Sequence, residues 1–308
     1  MDAESAAGPV AAAAEVVVGV DGTASALRAV SWATAEARLR GRPLRIVHAA
    51  PSDMEGRRRA QRIVAQALSM ARRRDPDLAM RTEVFHEQPV RALVQASEGA
   101  ALLVVGIASG HPGEVVVGSV AFTVVDTSLC PVAVVRGHHR APGRGRPVLL
   151  GVDSPVSDAA AFGTALADAD RHGSRLVVLH VRHADMLERL AGIDLDTTLA
   201  LALSEHLIPW QGLYPGVGVD IRIEHGQAAD RLLHAAGDAR LVVVSTRGGG
   251  TATRHPLNSC SRQLLRYSPS PVCVVPRNLD APAGPTVDRA AVPTASAVDA
   301  PNDRSVLW

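Results

Sequence analysis

The chain has 308 residues, 47% hydrophobic and 20% charged, which is the balance of two globular domains and excludes a disordered chain. Its formal net charge of +1 excludes a global field that would draw it to nucleic acid or a membrane surface. All 32 basic residues are arginine, which rules out a phosphate-loop lysine, a Schiff-base lysine and a lysine general base.

Residues 1–14 are alanine-rich and read as a loose tail. Residues 15–21 (EVVVGVD) predict a buried strand ending in Asp21, and Gly22-Thr23 turns the chain into a helix over 25–40. Leu27, Val30, Ala33, Ala37 and Leu39 fall on or near one face of that helix, and Gly41 stops it. A second strand (44–49) precedes an arginine-rich helix (55–74) that turns Ile63, Val64, Ala67, Leu68 and Met70 inward. A third strand (80–85) and a short helix (89–97) follow. Residues 101–136 then hold an apolar run ending in Gly106, a glycine-bearing loop, Gly118-Ser119 at a helix start, and a closing run after Cys130-Pro131. Unbroken apolar runs suit strands covered on both faces, and their alternation with helices predicts βαβ units in a parallel sheet.

The second half repeats the first. An offset of 132 aligns Gly19-Val20-Asp21 with Gly151-Val152-Asp153, Ser25 with Ser157, Gly41 with Gly173 and His48 with His180. The offset becomes 139 at His86 and His225, and 140 at Ser119 and Ser259, which places an insertion near 193–216 and one more residue in the glycine loop of the second copy. The reading gives two domains, 15–137 and 146–277, joined by the linker 137–146, with flexible tails at 1–14 and 278–308. Cys130, Cys260 and Cys273 form no C-x-x-C pair, which fits a reduced compartment, and Cys130 and Cys273, beside or within strand patterns, read as small core residues. No apolar run reaches the roughly 20 residues of a membrane helix, and the N-terminus has no secretory pattern, so a cytoplasmic protein is expected.

Catalytic signatures are absent. There is no G-x-x-x-x-G-K-[ST], no G-x-G-x-x-G after the first strand of either copy, no G-x-S-x-G elbow, no paired carboxylates on a helix face, and no Cys/His metal spacing. The arginines of helix 55–74 lack interleaved aromatics and read as a solvated face, not a nucleic-acid surface.

Set side by side, VGVDGTAS and LGVDSPVS, IVHA and LHV, the LLVVG loop ending in GSV, and the closing CPVAVVR and SPVCVVP make the chain resemble a tandem universal stress protein. The resemblance covers about 15–137 and 146–277 and implies two Rossmann-like, doubly wound five-stranded parallel sheets, of the universal stress protein and adenine nucleotide alpha hydrolase-like architecture. Such units pair along their last strands. A tandem chain would make that pair internally, 132–135 meeting 272–275, as an internal pseudo-dimer. The resemblance also implies a non-enzymatic stress-response regulator, with ATP and an accompanying Mg2+ as ligands, unidentified protein partners and a homodimer as partner states.

The nucleotide loop of such proteins reads G-x2-G-x9-G-[ST], and both copies depart from it. The first offers Gly106, Gly110 and Gly118-Ser119, with Ser109 at the second glycine and one residue too few before Gly118. The second keeps the spacing but has Ser245 and Asn258 where two glycines belong, around Gly248 and before Ser259. Arg247 and Arg254 favour polyphosphate in the second loop, whereas Glu114 works against it in the first; helix-start geometry is better in the first copy and electrostatics in the second, and the balance leans to the second. The resemblance places Ala49 and Val181 beside the nucleotide and gives Asp21 and Asp153 the adenine edge, the ribose or a metal. The competing reading makes each aspartate, and Ser119 and Ser259, a helix N-cap. His48 and His180 read as satisfied sheet-end histidines. Three functions stay open at this level: an ATP-binding regulator, a scaffold with degenerate sites, and an adenylate-handling enzyme, against which the missing lysine and carboxylate pairs count.

Overall fold

A computed structural model describes residues 14–108, 119–136, 145–153, 159–182, 194–246, 257, 259–276 and 279. The first half runs β1 (Val16–Gly19), α1 (Ala24–Arg40), β2 (Leu44–Ala49), α2 (Met54–Arg74), β3 (Met80–Phe85), α3 (Pro89–Ser97), β4 (Leu102–Ile107), α4 (Ser119–Thr127) and β5 (Val132–Arg136). The second half runs β6 (Val148–Val152), α5 (Ala159–Arg171), β7 (Leu176–Arg182), α6 (Leu195–Gln211), β8 (Val219–His225), α7 (Ala228–Ala236), β9 (Leu241–Ser245), α8 (Ser259–Tyr267) and β10 (Val272–Val275).

All ten strands form one sheet in the order β3-β2-β1-β4-β5-β10-β9-β6-β7-β8. Each half is parallel throughout, and the halves join antiparallel, with Val272 opposite Val134, Cys273 opposite Ala133 and Val274 opposite Val132. The expected internal pairing of the two last strands is therefore present. It turns two apolar edges into the centre of the sheet, where Val132 to Val135 and Val272 to Val275 are all buried. The outer edges are blunted by charge: β3 carries Arg81 and Glu83, and β8 carries Asp220, Arg222 and Glu224.

Successive strand residues point to opposite faces, so the apolar runs feed two separate cores. Val16, Val18, Leu44 and Ile46 pack with α1 and α2, while Val148, Leu150 and Leu176 pack with α5 and α6. Val17, Val47 and Leu103 pack on the opposite face with α3 and α4, and Leu149, Val177 and Val242 with α7 and α8. This double burial is why the strands read as continuous hydrophobic runs instead of alternating ones. Helix α1 ends as expected at Gly41, whose φ of 59° is open to glycine and strained for other residues. The arginines of α2 at positions 57–59 and 72–74 are exposed, in line with a solvated face.

The two halves also meet through their helices. On one face Glu36 and Arg40 of α1 meet Asp168 of α5 and His172 just beyond it. The offset of 132 makes Glu36 the counterpart of Asp168 and Arg40 the counterpart of His172. The two cross-pairs, Arg40 Nη2 to Asp168 Oδ1 at 2.6 Å and His172 Nε2 to Glu36 Oε1 at 3.0 Å, are thus one contact made twice about a pseudo-two-fold axis. Burial by itself would push the Glu36 carboxyl up, but the hydrogen bond from His172 and the charges of His172, Arg40 and Arg240 outweigh it and hold the carboxyl below its usual range. On the other face Phe122 of α4 lies under the guanidinium groups of Arg262 and Arg266 of α8, at 5.9 and 5.6 Å. The Leu257 N–H donates to Asp126 Oδ1 across the same seam at 2.9 Å.

Candidate functional site

The strand order of the first half reverses between β1 and β4, and in open α/β sheets the crevice beyond the carboxyl ends of such strands is where ligands bind. A cavity of about 340 Å³ occupies that place. Its floor is Gly19 and Gly106, one wall is Val47, His48 and Ala49 from the end of β2, and α3 contributes Ala92 and Leu93. Val120 and Ala121 bring the first turn of α4 to its rim.

Gly106 is required by close approach. A Cβ there would stand 2.4 Å from the carbonyl oxygen of Ser25 and 3.0 Å from the nitrogen of Ala26, both backbone atoms of the start of α1. The missing side chain lets α1 seat against β4 and keeps the cleft floor open.

Asp21 lines the cavity and is exposed, but it is not the N-cap of α1. The cap is Thr23, whose hydroxyl oxygen accepts from the Ala26 N–H at 3.2 Å. The Asp21 carboxylate accepts from the Thr23 N–H at 2.9 Å and the Thr23 O–H at 2.6 Å, which orients the capping threonine. The capping reading of Asp21 is therefore corrected: it supports the cap from two residues upstream because the turn at Gly22 leaves Thr23 nearer the free N–H groups. His48 is buried, with Nδ1 2.6 Å from the carbonyl of Val20. His180 repeats the contact on Val152 at 2.9 Å. Both histidines tie the end of one strand to its neighbour, as sheet-end residues do.

The corresponding place in the second half holds a smaller cavity, about 80 Å³, lined by Gly151, Asp153, Leu179, Val181, Ser245, Cys260 and Ser261 among others. Three substitutions add bulk to its walls. Val47, Ala49 and Gly106 of the first half correspond to the bulkier Leu179, Val181 and Ser245. Ser259 opens α8 and is exposed, and Ser119 opens α4. Gly110, Gly118, Arg247, Gly248, Arg254 and Asn258 lie outside the described residues. The cleft thus brings Asp21, Ala49 and Gly106 together in one half, and Asp153 and Val181 in the other. Leu93 and Ala92 were not legible as site residues, since α3 carries no motif. Their only signal is a short amphipathic helix starting beyond β3.

Among the described residues no group of three or more His, Cys, Asp or Glu side chains could hold a metal ion. Asp21 is the one carboxylate lining the first cleft among the described residues, and its Oδ1 already accepts from Thr23, so these residues alone do not make a protein-held Mg2+ site. Burial pushes the Cys130 thiol up to about 12 and raises that of Cys273 as well, which leaves both as inert core residues. No helix among the described residues is long and apolar enough to cross a membrane.

Two doubly wound αβ units with clefts at their switch points, sharing one sheet, define the class as a duplicated, doubly wound α/β protein. The sequence profile of the universal stress protein family matches residues 14–136 and again 145–276, and the chain belongs to that family. A universal stress protein of Mycobacterium tuberculosis strain H37Rv is 31% identical over 287 residues, covering 84% of this chain and 96% of its own length. One from Mycolicibacterium smegmatis is 33% identical over 286 residues, with 84% and 96% covered. Among solved structures, a universal stress protein from Archaeoglobus fulgidus superposes with a TM-score of 0.68 at 20% identity, over 85% of this chain and 98% of that one, a likeness of fold.

Proposed function

We infer that the chain is a stress-response regulatory protein whose first half takes an adenine nucleotide, ATP above all, in the cleft between β1 and β4. The observation that carries this reading is the 340 Å³ cavity at the switch point, floored by a glycine whose Cβ has no room. Val47, Ala49 and Leu93 offer apolar walls for a purine ring, and exposed Asp21 can accept from an amine or ribose hydroxyl. The start of α4 points backbone N–H groups toward the rim, where a phosphate would sit. Arg247 and Arg254 favour the second half on charge, but the described walls of that half leave only about 80 Å³. The second half then acts as the structural partner that completes the sheet.

The cleft supplies binding without turnover. Asp21 is the one acid lining it among the described residues, His48 is tied to a backbone carbonyl, and the chain has no lysine to polarise a phosphate. The test is to purify the full chain natively, denature it and assay the supernatant for adenine nucleotide, then titrate ATP into stripped protein. Wild type is expected to release or bind ATP. Ala49→Val, which installs the residue of the second half, is expected to bind about tenfold more weakly through overpacking. No released nucleotide together with no binding at millimolar ATP refutes the reading and leaves the scaffold function. Rapid multiple turnover of ATP refutes the regulatory reading instead.

A further inference from the structure

The first cleft opens at the carboxyl ends of the strands. At the opposite end, where Ala101 leads into β4 and Pro131 into β5, a second cavity of about 250 Å³ lies between the two halves. Arg40 and Arg42 from the end of α1 and the turn after it, and Arg171 from the end of α5, line it. No carboxylate lines it among the described residues.

The charge here exceeds what the joint uses. The Arg40 side chain is 9% exposed, gives Nη2 to Asp168, and has a buried Nε with no hydrogen bond, 3.5 Å from Glu36. Arg171 Nη1 takes the same Asp168 oxygen at 2.6 Å. Arg42 is exposed and makes no hydrogen bond or ion pair among the described residues. With Arg240 beside the acids, four guanidinium groups stand around two carboxylates, Glu36 and Asp168, among the described residues. The C-termini of α1 and α5 add roughly half a negative charge each, so an excess of about one positive charge remains.

The pseudo-symmetry separates structural charge from surplus charge. Arg40–Asp168 has its mate in His172–Glu36, so the joint needs that pair on both sides. Arg171 corresponds to Leu39, and Arg42 to Ser174, so these two charges serve one side alone. We propose that this cavity is a binding site for a small phosphate-class oxyanion, held by Arg42 and Arg171 over the Arg40–Asp168 pair and bridging the two halves. Its volume is below that of ordinary drug-sized pockets, which suits a free ion or the terminal group of a small ester better than a nucleotide. Guanidinium forks match the oxygens of such a group.

The experiment is calorimetric titration of the full chain with inorganic phosphate, and separately with glycerol phosphate, at constant low ionic strength set with chloride. At least one probe is expected to bind saturably, one per chain, and which of them binds distinguishes a free ion from an ester. Arg42→Ser and Arg171→Leu, each taking the residue of the other half, are expected to weaken binding about tenfold apiece. Arg42 is exposed and makes no ion pair among the described residues, so its replacement leaves folding intact and keeps the test readable. Absence of saturable binding by both probes overturns the proposal, as does binding that survives both substitutions.

Discussion

Asp168→Ala is the sharpest probe of how the two halves are held together. Asp168 is fully buried, and one of its oxygens accepts from Arg40 of the first half and Arg171 of the second, both at 2.6 Å. Its removal leaves the guanidinium of Arg40, 9% exposed, without its hydrogen-bonded carboxylate, and with Glu36 at 3.5 Å from Nε as the remaining buried counter-charge. Breaking a buried pair from one side costs about 3–5 kcal/mol, because the remaining charge stays desolvated. At roughly 2–4 °C per kcal/mol for a protein of this size class, the thermal midpoint is expected to fall by roughly 6–20 °C. Circular dichroism melts of the full chain read that directly. The double variant Arg40→Met with Asp168→Leu removes both charges and is expected to recover all but about 1 kcal/mol, since apolar pairs of similar volume replace buried ion pairs well. Arg171, 32% exposed, can turn to water in that variant. A loss below about 1 kcal/mol for Asp168→Ala, the range of exposed pairs, would refute the reasoning by showing that water reaches the joint.

Gly106→Ala places a Cβ against the backbone of Ser25 and is expected to cost about 1–3 kcal/mol, seen as a lowered midpoint in the same melts; an unchanged midpoint contradicts the close approach. Thr23→Ala is expected to cost about 1 kcal/mol, and more than Asp21→Ala, because Thr23 bonds the helix and Asp21 only orients it; the reverse order in urea titrations would overturn the cap assignment. Stability is also expected to fall in acid. The Glu36 carboxyl is held below its ordinary value of 4.5, so the unfolded chain binds the proton first and the stabilisation present above that pH is lost as pH drops through the folded value. Midpoints measured between pH 6 and pH 3 should fall less steeply in Glu36→Gln, and equal slopes would count against the linkage.

Much of the fold was legible because parallel strands buried on both faces leave unbroken runs such as VVVG, LLVV and VCVV. The duplication was legible too, through fixed offsets between glycines, aspartates and histidines. The pairing of β5 with β10 came from the family resemblance together with the apolar composition of both strands. The site was only half legible. Asp21, Ala49 and Gly106 do line one cleft, but Leu93 and Val47, which shape it, look like any core residue in a linear string. Asp21 as a helix cap failed for a local reason: Asx and Thr side chains compete for the same free N–H groups, and the turn geometry at Gly22 decides between them.

The amino-acid order by itself determined that there are two copies of one αβ unit, where the strands and helices of the first copy fall, and that no lysine chemistry is available. Only the tertiary structure decided which residues from distant elements share a space. Glu36 and Asp168 lie 132 positions apart, and nothing local in either helix announces that α1 and α5 will place them in one buried network. The volumes of the two clefts were likewise undetermined until packing set them, since a methyl or hydroxymethyl group matters only against the atoms that face it. Periodicity and turn chemistry act over a few residues, whereas a cavity or a buried charge is a property of many contacts closing at once.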